Sequence, residues 1–422
     1  MCPYPAEAPL SRLVGHMQNS SPPDFDSGRA WVVSGAAFVA SFVAYGFLYA
    51  FGVFLRPMGA ALGVSHALMS SLFSSMSLSG YLLGPLTGDW ADHAGPRKVM
   101  MAGALVFTGG VLATAHVHSI AAAFPCLGIG VGAGLASVYV PSLAAVGEWF
   151  KKERAVALGI AVSGIGVGTL VAAPLGAWLV REYGWRTTLT IEGIAGGGML
   201  LLSALFMFKP PVKVESKMGS RAVWPKVRSR PFLLVFLSRM LTGIPVFVTM
   251  VYLPALAERE GVHSVSAAAL VGYIGAGSLL SRLGLNAAAE EIGPIRPYQF
   301  SCVLVAVACV IWTFAYSYPA LIVFVVVMGI SYGGVASLTP AVAIRLFGLE
   351  NIGELLGFLL LSYGVAAVVG PPIAGILVDR SGNYRDIIGF ALMMSFAGVV
   401  ASLLLRRAQP APDAEVAKQA AA

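Results

Sequence analysis

The first residue in this chain with chemistry to explain is an arginine in an apolar run. Arg282 stands in Val271-Gly-Tyr-Ile-Gly-Ala-Gly-Ser-Leu-Leu-Ser-Arg-Leu-Gly-Leu-Asn286. A guanidinium stays charged. Insertion scales put a helix-centre arginine at roughly 2.5–3.5 kcal/mol in a bilayer, so such a residue is expected to face a polar cavity. Ser278, Arg282 and Asn286 lie four apart and share one helix face, with Gly275 one step before them. A polar stripe among small residues suits an anion. Glu192, in Thr190-Ile-Glu192-Gly193, is the one carboxylate well inside an apolar stretch, and it is a candidate proton carrier. It also lies about a turn and a half beyond Arg186, so an ion pair at the outer end of that helix competes with the proton role. No nucleophile, metal set or acid–base pair converges in the apolar runs, which argues against an enzyme.

The elements that must position these groups are membrane helices. The chain has 422 residues, 57% hydrophobic and only 11% charged, with mean hydropathy +0.80. Apolar runs recur along nearly the whole length, too long for the alternating strands of a barrel. The expectation is an all-α membrane protein of twelve spans, near 30–55, 66–88, 98–116, 119–145, 155–180, 187–208, 232–256, 267–289, 297–316, 319–344, 355–378 and 387–405. No cofactor and no metal is expected. The six histidines fall in loops or helix ends, and Cys2, Cys126, Cys302 and Cys309 have neither metal nor disulfide spacing. The Gly-x-Gly strings at 128–134 and 272–277 lack a strand–helix context and read as helix packing.

Charge placement sets the topology. The net charge of +7 comes from loops and so points to orientation in a bilayer, with no nucleic-acid partner. Placing both termini in the cytoplasm of a plasma (inner) membrane puts Arg97, Lys98, Lys151, Lys152, Arg154 and the basic stretch Lys209–Arg230 inside. The N-terminus carries no basic-then-apolar leader, so insertion is expected from the first span. The expected organisation is a tail over 1–28, a six-helix bundle over 29–208, a basic linker over 209–231, a second bundle over 232–407 and a tail over 408–422. Gly134-Leu-Ala-Ser-Val-Tyr-Val-Pro141 matches Gly334-Val-Ala-Ser-Leu-Thr-Pro340, and the Pro174–Arg186 stretch matches Pro372–Arg385, both at an offset of about 200 residues. Two repeats imply a transporter with its site between the halves.

Two sets of motifs refine this. Gly84-Pro-Leu-Thr-Gly88-Asp-Trp-Ala-Asp92-His-Ala-Gly95-Pro-Arg97-Lys98 follows the second span. Gly88 and Gly95 allow a tight turn, and Asp92 sits at a helix end. This resembles the loop signature of the major facilitator superfamily, a conformational latch in which Asp92 and Arg97 bias inward against outward states. Asp26-Ser-Gly28-Arg-Ala-Trp31 enters the first span, and Trp149-Phe150-Lys-Lys-Glu-Arg154-Ala-Val-Ala-Leu-Gly159-Ile-Ala-Val-Ser-Gly164-Ile-Gly-Val-Gly168 enters the fifth. These resemble the two signatures of the monocarboxylate transporter family. Gly159, Gly164 and Gly168 would give a smooth face for a neighbouring helix.

The resemblance implies that Arg282 receives the substrate carboxylate, as a forked donor can. Arg239, about seven residues into the seventh span, is the second choice and could instead snorkel to the interface. The family's acidic partner one turn before the arginine is Ser278 here. Its first-helix lysine is Tyr49, so Tyr49 and Tyr45 stand as hydroxyl donors. The resulting expectation is a secondary carrier of a small organic anion, of the lactate or pyruvate type, with a proton, working as a monomer in the lipid bilayer. The first rival resembles the oxalate:formate exchangers, but the eleventh span, Leu355–Val378, lacks the lysine they use. The second rival is a membrane sensor that binds a metabolite without moving it.

Overall fold

The computed structural model describes residues 25–209, 223–348 and 352–405. The tail before residue 25, most of the basic linker and the tail beyond residue 405 lie outside the described residues. Among those described, every regular element is a helix. The long ones are α1 Gly28–Tyr49, α2 His66–Ala94, α3 Pro96–Ala115 and α4 Gly132–Trp149, entered through a π-helical stretch Phe124–Val131. Arg154–Leu205 is broken at Gly184, whose φ of 77° and ψ of 161° are not helical; α5 is 154–183 and α6 is 185–205. Then come α7 Arg230–Arg259, α8 Ser264–Ile292, α9 Ile295–Phe314, α10 Tyr318–Phe347, α11 Ile352–Ser381 and α12 Arg385–Leu404.

Local chemistry sets the ends. Ser27, Ser65 and Ser229 cap α1, α2 and α7 by accepting from the amides of Ala30, Leu68 and Phe232. Gly95, at φ 90°, makes the turn from α2 to α3, with Pro96 at the first helical position. Ten segments are long and apolar enough to cross a membrane, and Val156–Leu205 counts among them as a single stretch of 50 residues. The serine-rich α2 is not among the ten. Most of its hydroxyls are nonetheless satisfied: Ser71, Ser75 and Ser79 return to carbonyls of their own helix, while Ser77 alone of its serines is buried without a partner. Large apolar side chains such as Leu105, Ile194, Leu280, Phe314 and Met393 face outward. That pattern is unfavourable in water and natural against lipid.

The packing is pseudo-symmetric. Helix α1 lies on the α5–α6 stretch, as α7 lies on α11 and α12, and α3 pairs with α4 as α9 pairs with α10. Besides smaller contacts such as that of the turn Ala50–Val53 with α7, two extensive contacts cross between the earlier and later helices: α2 against α11, and α5 against α8. Both are backbone-close. A Cβ on Gly275 would sit 2.5 Å from the Gly166 carbonyl oxygen, and one on Gly375 would sit 2.5 Å from Ala67 Cα. Small residues substitute for the missing hydrophobic drive between helices in lipid.

Candidate functional site

Arg282 stands about ten residues from the end of α8 at Ile292, roughly 15 Å along the axis. It is half-buried, and its Nε is enclosed without a hydrogen-bond partner. Among the described residues it makes neither an ion pair nor a hydrogen bond. Ser278, one turn away, is buried, with its backbone against Gly333 of α10. The Asn286 side chain lies outside the described residues.

Arg239 does not snorkel. It is 2% exposed, about nine residues or roughly 14 Å inside α7, a depth close to that of Arg282. Its Nε donates to Ser362 Oγ at 3.1 Å and its Nη1 to Thr339 Oγ1. The guanidinium also stacks 4.3 Å over the Tyr363 ring. Hydroxyls on α10 and α11 were available at that depth, so the side chain stays in. These partners are neutral, and the charge remains uncompensated by any carboxylate among the described residues.

Tyrosines connect the two arginines. The Tyr332 hydroxyl, on α10, lies in the electrostatic field of both guanidiniums and 3.0 Å from the Tyr49 hydroxyl on α1. Tyr49 leads to Tyr45, with ring centroids 5.4 Å apart. Tyr45 meets Tyr139 of α4 edge-on at 4.7 Å, and Tyr139 lies in the field of Arg282. On the other side Tyr332 approaches Tyr363 at 6.0 Å. The structure thus gathers Arg282, Tyr49 and Tyr45 from the expected set and adds Tyr332, Tyr139 and Tyr363, with Arg239 beside them. Tyr139 and Tyr332 are polar groups inside apolar runs, and that was the sequence signal for them. Forked and hydroxyl donors with no opposing acid can hold a carboxylate.

Glu192 is elsewhere. Its Oε2 is buried without a partner, and its carboxylate fills the space left by Gly176 of α5. The expected ion pair with Arg186 is absent. Arg186 follows the Gly184 break and reaches back to the Ala115 carbonyl at 2.7 Å, at the end of α3, while stacking 4.3 Å over Trp185. A helix C-terminus offers unpaired carbonyls, and the guanidinium takes one.

The signature stretches sit as follows. Gly88 packs on Val140, with 3.5 Å from its would-be Cβ; Asp92 lies in the last turn of α2 and Arg97 is exposed at the start of α3. Gly164 and Gly168 face Phe38 and Phe42 of α1, whereas Gly159 has open space around it, so the smooth face is shorter than the motif. Gly166, between them, is the glycine that touches α8. Asp26 accepts from the amides of Lys151, Lys152 and Glu153 at 3.1, 3.2 and 3.3 Å. Removal from water opposes ionisation there, but the three amides outweigh it and hold the carboxyl below its usual range. Trp31 meets Phe150 edge-on at 5.0 Å. The first- and fifth-helix signatures are therefore two sides of one contact.

Residues 37–315 and 285–421 match the family description Major Facilitator Superfamily. The chain is 31% identical over 396 residues to monocarboxylate transporter 3 of Rattus norvegicus, covering 88% of this chain and 78% of that protein. It is 26% identical to monocarboxylate transporter 13 of Rattus norvegicus, covering 92% and 91%. A solved structure described as a bacterial homolog to human lysosomal transporter Spinster, in inward-facing and occupied conformation, superposes with TM-score 0.72 at 15% identity, covering 93% of this chain and 100% of that one.

Proposed function

The chain belongs to the major facilitator superfamily, and on that footing we propose that it is a secondary carrier moving a small monocarboxylate, of the lactate or pyruvate type, with a proton by alternating access. The observation that carries this reading is Arg282, a half-buried guanidinium in mid-helix with no partner among the described residues. A carboxylate would supply the missing charge and acceptors, bidentately. Tyr332 and Tyr139 would add hydroxyl donors, and the Tyr49–Tyr332 pair would register the arrival across the two sets of helices. The similarity to monocarboxylate transporters supports the substrate class.

The membrane reading extends the same way. Helix Val156–Leu205 would be roughly 75 Å long if straight, far beyond a hydrocarbon core of about 30 Å. Dividing it at Gly184 and adding α2 brings the ten apolar segments to twelve. The basic residues Arg97, Lys151 and Lys152 at one end support a cytoplasmic position for that end under the positive-inside rule, and an even number of spans would bring both termini to the same side. The two repeats then rock about a site bounded by α1, α4, α8 and α10. An anion on Arg282 cancels the buried charge, which lowers the barrier to closing the cavity. Moving a proton with each anion keeps the cycle electroneutral.

Uptake of labelled lactate into proteoliposomes, with and without an inward proton gradient, tests this. Gradient-stimulated uptake is expected, abolished in Arg282→Ala and weakened in Arg282→Lys. Wild-type uptake by Arg282→Ala would overturn the site. One observation favours a second reading, exchange of a dicarboxylate: Arg239 is a second enclosed guanidinium with no carboxylate partner among the described residues, and both arginines act on the Tyr332 hydroxyl. Under that reading oxalate competes better than lactate, and uptake needs anion inside rather than a proton gradient.

A further inference from the structure

Helix α11 carries Pro371 and Pro372 inside its apolar run. Proline has no N–H, so the carbonyl four residues before Pro371 loses its helical partner. That carbonyl belongs to Ala367, and Ser74 of α2 donates to it at 2.7 Å. One turn toward the helix start, Ser70 donates to the Pro371 carbonyl at 3.1 Å, joined there by Tyr252 of α7 at 3.1 Å. A further turn along, α2 ends at His66, where its first amides have no partner within the helix. Asp379, near the end of α11, accepts from the amides of His66 and Ala67 at 3.0 and 2.9 Å and pairs with His66 Nδ1 at 3.0 Å. The other ring nitrogen of His66 meets the Tyr384 hydroxyl at 3.0 Å. Ser70, Ser74 and the His66–Ala67 pair share one face of α2, so these contacts form a single line from mid-helix to the end of the bundle.

A carboxylate at a helix N-terminus meets both free amides and the positive end of the helix dipole. Here it comes from a helix more than 300 residues away in sequence, so the cap exists only while α2 and α11 stay together. The charged groups around it are Arg259, whose guanidinium lies 5.6 Å over the Tyr384 ring, and the exposed Arg56–Glu258 pair at 3.1 Å.

We propose that Asp379 is the latch of the external gate: by capping α2 from α11 it holds the outer path shut in the state seen here, and opening that path requires the cap to break. This rests on the carrier reading and the orientation given above. The line of contacts assigns each part a task. The Ser74 bond to the carbonyl freed by Pro371 and the Ser70 bond to the carbonyl of Pro371 itself set the register of the two helices, and Asp379 sets the strength of their closure. Gly375 permits the approach, since a Cβ there would sit 2.5 Å from Ala67 Cα and 2.6 Å from the Tyr252 hydroxyl.

The test reads conformation directly. Ser77 is buried on the same face of α2, and its hydroxyl has no partner, so Ser77→Cys is a mild reporter. It is placed in a full-length chain whose four native cysteines are replaced by alanine, reconstituted in vesicles, and labelled from outside with a membrane-impermeant maleimide. Asp379→Asn is expected to raise the labelling rate about tenfold or more, the scale of one charged hydrogen bond lost. Gly375→Ala, which removes no polar group but presses a Cβ against Ala67 and the Tyr252 hydroxyl, is expected to raise it as well. Unchanged labelling in a folded, monodisperse Asp379→Asn protein overturns the proposal. So does a rise in Gly375→Ala alone, because packing and not the carboxylate would then hold the gate. Labelling needs no transport, so a chain that takes up neither lactate nor oxalate yet opens in Asp379→Asn would refute the carrier reading and leave the latch standing.

Discussion

Replacing Arg282 by methionine should make the protein more stable and less able to bind, a combination that few structural residues give. The wild-type guanidinium has an enclosed Nε with no partner. An unsatisfied buried polar group costs roughly 1–3 kcal/mol. Because Arg282 is only half-buried, the gain on removing it lies toward the lower figure, about 1 kcal/mol, which is a rise on the order of 1 °C in melting temperature. Methionine keeps the length of the stem and packs without strain. Binding moves the other way. Two charged hydrogen bonds to a carboxylate are worth roughly 1.5–3 kcal/mol each, so affinity should fall about a hundredfold or more. Both effects appear in one assay, thermal unfolding of purified protein with and without lactate. Lactate at a hundred times its Kd stabilises the wild type by about 2.7 kcal/mol and should leave Arg282→Met unmoved. A variant that melts lower than wild type without ligand would falsify the reasoning, since Arg282 would then have a structural partner. Equal stabilisation of both proteins by lactate would place the anion elsewhere.

Three further outcomes follow from the same geometry. Tyr332→Phe and Tyr49→Phe each remove the 3.0 Å hydroxyl contact between α10 and α1; each should slow uptake, and the double variant should be no slower than the worse single one, as measured in a double-mutant cycle. Arg239→Met should lower the melting temperature, in contrast to Arg282→Met, because it removes two charged hydrogen bonds, to Ser362 and Thr339, and the stacking on Tyr363, while both hydroxyls keep their bonds to the Leu359 and Val335 carbonyls; a rise would show that Arg239 is as unsatisfied as Arg282. For Asp26, the folded carboxyl titrates below the usual value near about 3.9. Its contribution is therefore complete above that value and lost as pH falls through the lower folded one. Asp26→Asn should flatten the acid limb of the stability curve, and an unaltered limb counts against the tether.

The membrane class and the helix series were legible in the sequence because lipid imposes a strong pattern: long apolar runs with charges at their ends. The exception is instructive. Helix α2 is a full-length helix that falls short in hydropathy, since its serines are read as polar although most return to carbonyls or cross to α11. At the site, Arg282 and the tyrosines of α1 could be singled out because a polar group in an apolar run must be explained. Their arrangement could not, because it depends on helix rotation and depth. Arg239 was close enough to a helix start to reach water, and only the position of Ser362 and Thr339 on other helices keeps it inside. Likewise Arg186 and Glu192 are near in sequence, and the kink at Gly184 sends Arg186 to the end of α3 instead.

The Asp26 contact has a mechanical meaning. It ties the start of α1 to the start of α5 through three amides, and farther along Gly164 and Gly168 keep the two helices backbone-close. A pair of rods joined at one end and meshed along their length turns as one piece. One rod carries Tyr49, the hydroxyl that reaches Tyr332; the other carries Gly166, the bearing surface against Gly275 of α8. In the proposed rocking motion, a swing that slides α5 over α8 pulls Tyr49 off Tyr332 in the same stroke, so the two seams beside Arg282 part together.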